Sequence, residues 1–225
     1  MDMSLKTKTI TTAAYERLKA DICSGKYKAG QHLLEKELCN DLEVSRTPIR
    51  DALVRLQEEG LVISKPHRGV FVRKLTEKDI RDYYETRAVL EGLGAKLAAL
   101  NMTNEHKRYF ENLMEDMKFA LSEKGDNHKI IALNNALHDY IFKVADNDVL
   151  DKMRRTLSWS IALIRATSWI NENRKFEVFE EHVKIIKGIV EKQPEEAKVA
   201  AEDHIYKAWE SAASNLSNLS DEEED

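Results

Sequence analysis

Val44-Ser45-Arg46-Thr47-Pro48-Ile49-Arg50 reads as the opening of a helix, and that helix decides how the first third of the chain folds. Ser45 and Thr47 carry short hydroxyls that can cap the N–H groups a helix start leaves without partners. Pro48 suits a first turn, where its missing N–H does no harm. Placing Pro48 at the first helical position makes Thr47 the cap, although either hydroxyl could serve. Arg46 and Arg50 are four residues apart and so share one helix face. Cations and hydroxyls at a helix N-terminus suit a polyanion, and the expectation is DNA.

Working outward, Ala14, Leu18 and Ile22 recur at helical spacing with Tyr15 beside them, and Gly25 ends that first helix. Glu35 to Leu42 forms a short second helix, and Glu43-Val44 is a tight turn into the third. Ile49, Ala52, Leu53 and Leu56 supply the third helix's inward stripe, and Gly60 stops it. Two short helices joined by a tight turn, the second presenting its N-terminus, make a helix-turn-helix. Leu61 to Lys65 and Val70 to Lys74 are β-rich runs around Pro66-His67-Arg68-Gly69, a hairpin with a basic tip. The predicted unit is a winged helix-turn-helix over residues 13–75, preceded by a flexible arm over 1–12.

The chemistry divides the work. Arg46 and Arg50 have planar forks able to grip guanine O6/N7 or a phosphate bidentately. Ser45 and Thr47 suit phosphate oxygens, and Lys36 suits a phosphate at the groove edge. Gly69 lets the wing backbone approach DNA, with His67 and Arg68 as tip contacts. Any one of these cations alone also reads as ordinary surface charge. Their joint placement on a winged helix-turn-helix pattern favours the nucleic-acid reading.

Charge supports the division. The chain carries a net charge of −5, yet residues 1–74 hold 14 Lys and Arg against 10 Asp and Glu, and the remainder 21 against 30. A basic head on an acidic body fits a DNA-binding module joined to a partner with another task. At 225 residues, with 33% charged residues, three prolines and eight glycines, the composition is that of a soluble, mostly helical protein. No apolar run approaches the ~20 residues of a membrane span, and the first residues lack a secretory core, so a cytoplasmic location is expected. Cys23 and Cys39 fall at apolar-periodic positions and read as buried free thiols.

From Thr76 onward only helical periodicity is found. Lys78–Leu100, Asn104–Ser122, His128–Ala145, Val149–Ser168, Phe176–Lys192 and Pro194–Leu216 each carry apolar residues three and four apart. About six such helices predict an all-helical antiparallel bundle over 76–216, and residues 217–225 read as an acidic disordered tail. The fold class expected is mainly α. Trp159, Trp169 and Trp209 read as packing residues.

Asn134 and His138 share one face of the third bundle helix, while His182 and His204 lie on the fifth and sixth, flanked by Glu181 and Asp203. Three imidazoles and an amide oxygen converging in a bundle could hold a divalent transition metal; each histidine could equally be a hydrogen-bonded core or surface residue. Arg87, one turn before Glu91, reads as an intrahelical ion pair or as a cation for a ligand. No positioned nucleophile, HExxH helix or Gly-rich phosphate loop is found, which argues against an enzyme.

Residues 13–75 resemble the DNA-binding domain of the GntR family of bacterial transcription regulators. The resemblance rests on Ser24-Gly25, Ala29-Gly30-Gln31, Leu34-Glu35, Glu37-Leu38, the run Val44 to Leu53, Leu56, Glu59-Gly60-Leu61 and Arg68-Gly69-Val70. Ala29 stands where the family usually has proline. Residues 79–214 are similar to the FCD ligand-binding domain of one GntR subfamily, through Glu85 to Glu91, Leu137-His138, Asn147 to Leu150, Glu181 to Ile186, Ala197 and His204. The resemblance implies a homodimer on an inverted-repeat DNA operator, most often a repressor, controlled by a small organic acid effector. It implies metal ligands at Asn134, His138, His182 and His204, for Zn, Ni or Mn, and an effector contact at Arg87. Asn134 departs from the family's usual acidic ligand, which weakens the donor set. The alternatives are a metal-dependent enzyme on the bundle and an architectural DNA binder without an effector.

Overall fold

Leu18, Ile22, Ile49 and Leu56 are fully buried, and around them the first unit of the chain condenses. The computed structural model describes residues 3–122, 127–157 and 172–221. It divides into two units, one holding the chain through Asp79 and the other beginning at Ile80. The first unit runs α1 (Met3–Cys23), β1 (His32–Leu33), α2 (Glu35–Leu42), α3 (Arg46–Glu58), β2 (Val62–Lys65) and β3 (Gly69–Val72). Helix α1 begins at Met3, so the residues read as a flexible arm are helical from there on. No glycine or proline interrupts the stretch before Cys23, and its threonines are only weak helix opponents.

Helices α1 and α3 pack through the predicted stripes and are tied at their rims. The Tyr15 hydroxyl donates to Glu59 Oε1, Lys19 Nζ lies 2.8 Å from Glu59 Oε2, and the Arg55 guanidinium stacks 3.9 Å from the Tyr15 ring centroid. Cys23 and Cys39 are free thiols, half-buried rather than buried. At the end of α3, Gly60 takes φ 77°; Leu61 N donates to Leu56 O and Gly60 N to Gln57 O, both at 2.9 Å. These are the paired bonds of a Schellman stop, for which a glycine is the favoured residue.

The wing has three strands where two were expected. The order is β1-β3-β2, with His32 paired to Phe71 and Val62 to Val72. A two-residue strand leaves almost no periodic signal, which is why β1 escapes a sequence reading.

The second unit contains α4 (Glu77–Leu100), α5 (Asn104–Ser122), α6 (Asn127–Ala145), a helical stretch α7 (148–157), α8 (Glu172–Val190) and α9 (Pro194–Asp221). Thr76 and Asp79 form a reciprocal capping box at the start of α4: Asp79 N donates to Thr76 Oγ1 at 3.1 Å, and Thr76 N to Asp79 Oδ2 at 2.9 Å. Ala95, Phe110, Leu137, Ile141, Ile185, Ile189 and Ala201 belong to one core built from α4, α5, α6, α8 and α9. Helix α9 runs beyond the predicted end at Leu216 to Asp221, and the last four residues of the expected tail lie outside the described residues. The rest of the predicted fourth bundle helix, with Trp159 and Trp169, also lies outside them.

Two local features of α8 shape its surroundings. A Cβ on Gly188 would stand 2.8 Å from the Ala197 backbone nitrogen, so only glycine allows this approach. Helix α8 also starts at Glu172 rather than at the expected Phe176, because nothing in Glu172-Asn173-Arg174-Lys175 forces a break. That extension places Arg174 and Lys175 on the helix that carries His182.

Candidate functional site

The residues of the first unit expected to contact DNA are all exposed. Ser45 is the cap of α3, with φ −71° and ψ 169°, and the helix begins at Arg46. Thr47 is thus inside the first turn and Pro48 is its third residue, a correction to the favoured cap. The tolerance for proline is unchanged, since the first four N–H groups of a helix have no intrahelical acceptor. Glu43 takes φ 54° and closes α2 by donating to Asn40 O, making the tight turn into Val44. Ser45, Arg46, Thr47 and Arg50 face solvent, while Pro48 and Ile49 are buried. Lys36, on α2, is exposed as well.

Arg50 is not idle. Its Nε donates to both carboxylate oxygens of Glu35, at 3.0 and 2.9 Å, across the α2–α3 pair. Reading charges singly along the sequence misses this neighbour fifteen residues away.

At the wing tip, Arg68 N donates to Lys65 O at 3.0 Å and His67 takes φ 60° after Pro66, the pattern of a type II turn. His67, Arg68 and Gly69 are exposed. Gly69 has a structural duty beyond close approach. With φ 94°, a Cβ there would stand 2.4 Å from His32 Nε2, and that imidazole stacks on Phe71 at 4.5 Å between centroids.

In the second unit His138 of α6, His182 of α8 and His204 of α9 meet in the core, only 4%, 0% and 3% exposed. One ring nitrogen from each lies within 4.8 Å of the others. Two of the three are held from behind by carboxylates. His138 Nδ1 is 3.0 Å from Glu91 Oε2, and His204 Nδ1 is 2.7 Å from Glu181 Oε2. Burial alone would raise the Glu91 carboxyl, but His138 and Arg87 outweigh it and hold it well below the usual carboxylate range. Burial likewise opposes the ionised Glu181, and its bonds to His204 and Arg174 again win. An ionised carboxylate can only accept, so each Nδ1 carries a proton, leaving Nε2 as the candidate ligand atom. Burial pushes His204 down to about 4, against the pull of Glu181, so its imidazole is neutral at pH 7. Carboxylates that fix a histidine tautomer in this way are the usual supports of metal-ligating imidazoles.

Each carboxylate is in turn gripped by an arginine. Arg87 Nε lies 3.3 Å from Glu91 Oε1, both side chains buried, so the intrahelical pair is formed and extends to His138. Arg174 grips Glu181 bidentately, at 2.6 and 3.0 Å. Neither Arg–Glu–His chain is visible in sequence order. Glu181 is the neighbour of His182 but serves His204, and Asp203, beside His204, is exposed and pairs with Lys207.

Asn134 is buried one turn before His138, and its Nδ2 lies 3.4 Å from Asn135 Oδ1. It lines a cavity of about 20 Å³ with His182, Lys175, Met117, Ile130 and Phe179, space for about one water. Lys175, 7% exposed, is a cavity-lining residue the sequence reading missed, because it falls just before the predicted helix start at Phe176. Trp209 is half-buried and does not line this cavity.

This geometry can be set beside known proteins. A family model described as bacterial regulatory proteins, gntR family, matches residues 10–72, and one described as FCD domain matches residues 82–207. The probable D-xylose utilization operon transcriptional repressor of Paenarthrobacter nicotinovorans is 29% identical, over 91% of each chain. The HTH-type transcriptional regulator YdhC of Bacillus subtilis is 28% identical, over 82% of each. Among solved structures, E. coli McbR/YncC superposes with a TM-score of 0.77 at 22% identity, covering 92% of this chain and 98% of that one, a likeness of fold.

Proposed function

The chain belongs to the gntR family of bacterial regulatory proteins, DNA-binding transcription regulators, and carries an FCD domain; from that premise we propose that it is a repressor whose operator affinity is set by a small organic acid. The first unit reads one half-site of an inverted repeat as part of a homodimer. Arg46 and Arg50 enter the major groove from the start of α3, with Ser45, Thr47 and Lys36 on phosphates and His67, Arg68 and Gly69 at the wing. The domain boundaries follow the same reading, with residues 13–75 as the DNA-binding domain and 76–216 as the effector and dimerisation domain.

The observation that carries the sensing half is the convergence of three buried histidines from three helices, two of them braced by carboxylates. His138, His182 and His204 would hold a divalent transition metal (Zn, Ni or Mn), with Asn134 contributing an amide oxygen in place of a carboxylate. When bound, such an ion supplies a Lewis-acidic position for an effector carboxylate. Glu91 and Glu181 hold the imidazoles in the ligating tautomer, and Arg87 anchors Glu91 while offering positive charge to the effector. An effector shifts operator affinity only through unequal binding to two conformations of the dimer.

The test is a thermal-shift screen of small organic acids with and without Zn²⁺, Ni²⁺ or Mn²⁺, followed by footprinting with each hit. A ligand of the folded state raises its melting temperature. Hits that leave the operator footprint unchanged would overturn the sensing reading, and a protein that protects no inverted repeat would overturn the operator reading.

A further inference from the structure

The register of the wing gives it two faces. Leu33, Val62 and Val72 are buried on the inner one. Side chains alternate along a strand, so His32, Ile63, Lys65, Gly69 and Phe71 share the outer face. His32 and Phe71 stand opposite each other on β1 and β3, their rings 15° from parallel. The Lys65 ammonium lies 4.8 Å from the centroid of the same Phe71 ring. A Cβ on Gly69 would collide with His32 Nε2, so the imidazole fills the place where a side chain of residue 69 would stand. Strand β1 thus supplies the side chain that the wing glycine lacks. His32 is exposed, and among the described residues neither of its ring nitrogens is hydrogen-bonded.

We propose that His32 is a phosphate contact of the wing, donating a ring N–H to a DNA backbone oxygen beside Gly69. The proposal rests on the reading of the first unit as a DNA-binding domain whose wing glycine lies near the duplex. A glycine lets backbone approach a ligand because no side chain intervenes. Here the imidazole comes in with it, since its Nε2 lies against that glycine. An imidazole carries an N–H donor in either charge state, and phosphate oxygens take most of the hydrogen bonds that proteins make to DNA. Exposed Lys65, His67 and Arg68 make the tip basic, which draws the backbone of a polyanion toward the same turn. The stack on Phe71 holds the imidazole in place beforehand, so little side-chain freedom is lost on binding.

The experiment titrates a labelled mixed-sequence DNA duplex with the full chain, by fluorescence anisotropy over a range of KCl concentrations. Wild type is compared with His32→Ala, His32→Phe and His32→Arg, with melting temperatures measured beside. His32→Phe keeps a ring to stack on Phe71 and loses the donor. His32→Ala and His32→Phe should both weaken binding about 3- to 10-fold, the effect of one lost hydrogen bond, with melting temperatures near wild type. His32→Arg restores a donor and adds a permanent charge. Its affinity should equal or exceed that of wild type, and its log affinity should fall more steeply with log salt, by about one in slope. If His32→Phe binds like wild type while His32→Ala is weakened, the ring only shapes the wing and the proposal is overturned. A His32→Arg chain as weak as His32→Ala, with no steeper slope, overturns it as well. Three variants that all bind like wild type remove the His32 contact and leave the DNA-binding reading intact. A wild type that binds no duplex removes that reading together with the proposal.

Discussion

In the first unit every residue assigned to DNA from the sequence is exposed and lies between Lys36 and Gly69, half of them in one run at the start of α3. In the second unit His138, His182 and His204 are buried, lie on three helices and span more than sixty positions. On the proposed function the contrast follows from the ligands. A DNA duplex is large and rigid, so its reader must project from the surface on a contiguous scaffold. A metal ion or small acid is gripped from all sides, so its ligands converge from several helices and are desolvated together. Substitutions should therefore act locally in the first unit and collectively in the second.

The largest effect expected tests the collective side. His182→Ala removes the most buried imidazole of the three and should weaken divalent-metal binding by more than about 100-fold, since even supporting residues contribute 10- to 100-fold. Metal analysis of purified protein beside wild type checks this, and equal metal content would dissolve the contrast. The local side comes next. Arg46→Ala should cost about 1–3 kcal/mol of operator binding and leave metal content unchanged. Footprinting or fluorescence anisotropy at fixed salt reads it; a loss shared equally by unrelated DNA would move Arg46 from base to phosphate contact.

The same contrast sets what the sequence could show. The run from Val44 to Arg50, the stripe Ile49, Ala52, Leu53, Leu56 and the stop at Gly60 are all local signals, and each has its counterpart in α3. The strand β1 was not legible, because His32 and Leu33 become a strand only by pairing with β3. In the second unit the helices and three histidines were legible by period and residue type. Their supports were not, since Glu181 reaches across to His204 rather than serving its neighbour His182. Lys175 was hidden by a helix start placed too late, at Phe176, because the loop-like composition around Glu172 and Asn173 masked Arg174 and Lys175, which α8 includes.

A smaller effect concerns how firmly α1 holds its turn. Asp21 is 7% exposed and pairs with Arg17 at 3.0 Å and Lys26 at 2.7 Å. Burial raises its carboxyl, but Lys26 and Arg17 outweigh this and set it below its ordinary 3.8. A carboxylate with a depressed folded pKa adds stability above its unfolded pKa and loses it as pH falls through the folded one. Asp21→Asn should destabilise the first unit by about 1 kcal/mol at pH 7, a figure reduced for the solvent-screened partners. The gap from wild type should close as pH drops below 3.8 in denaturant unfolding; a gap constant with pH would assign the loss to packing instead.

The smallest effect bears on whether the first unit's chemistry is as local as its sequence suggests. Arg50 is exposed, yet its Nε is shared between the two oxygens of Glu35 on the neighbouring helix. If Arg50 reads DNA as proposed, DNA must take it from a carboxylate that is itself repelled by phosphate. An exposed pair of this kind is worth only about 0.2–1 kcal/mol, so releasing it should tighten operator binding by no more than about fivefold. Glu35→Gln keeps the shape and removes the charge. It should raise affinity for operator and unrelated DNA alike at low salt, and the gain should shrink as salt screens the pair. If Glu35→Gln instead weakens operator binding, Glu35 is positioning the Arg50 fork for its base. The reader would then be a two-helix device, with α2 setting the aim of α3.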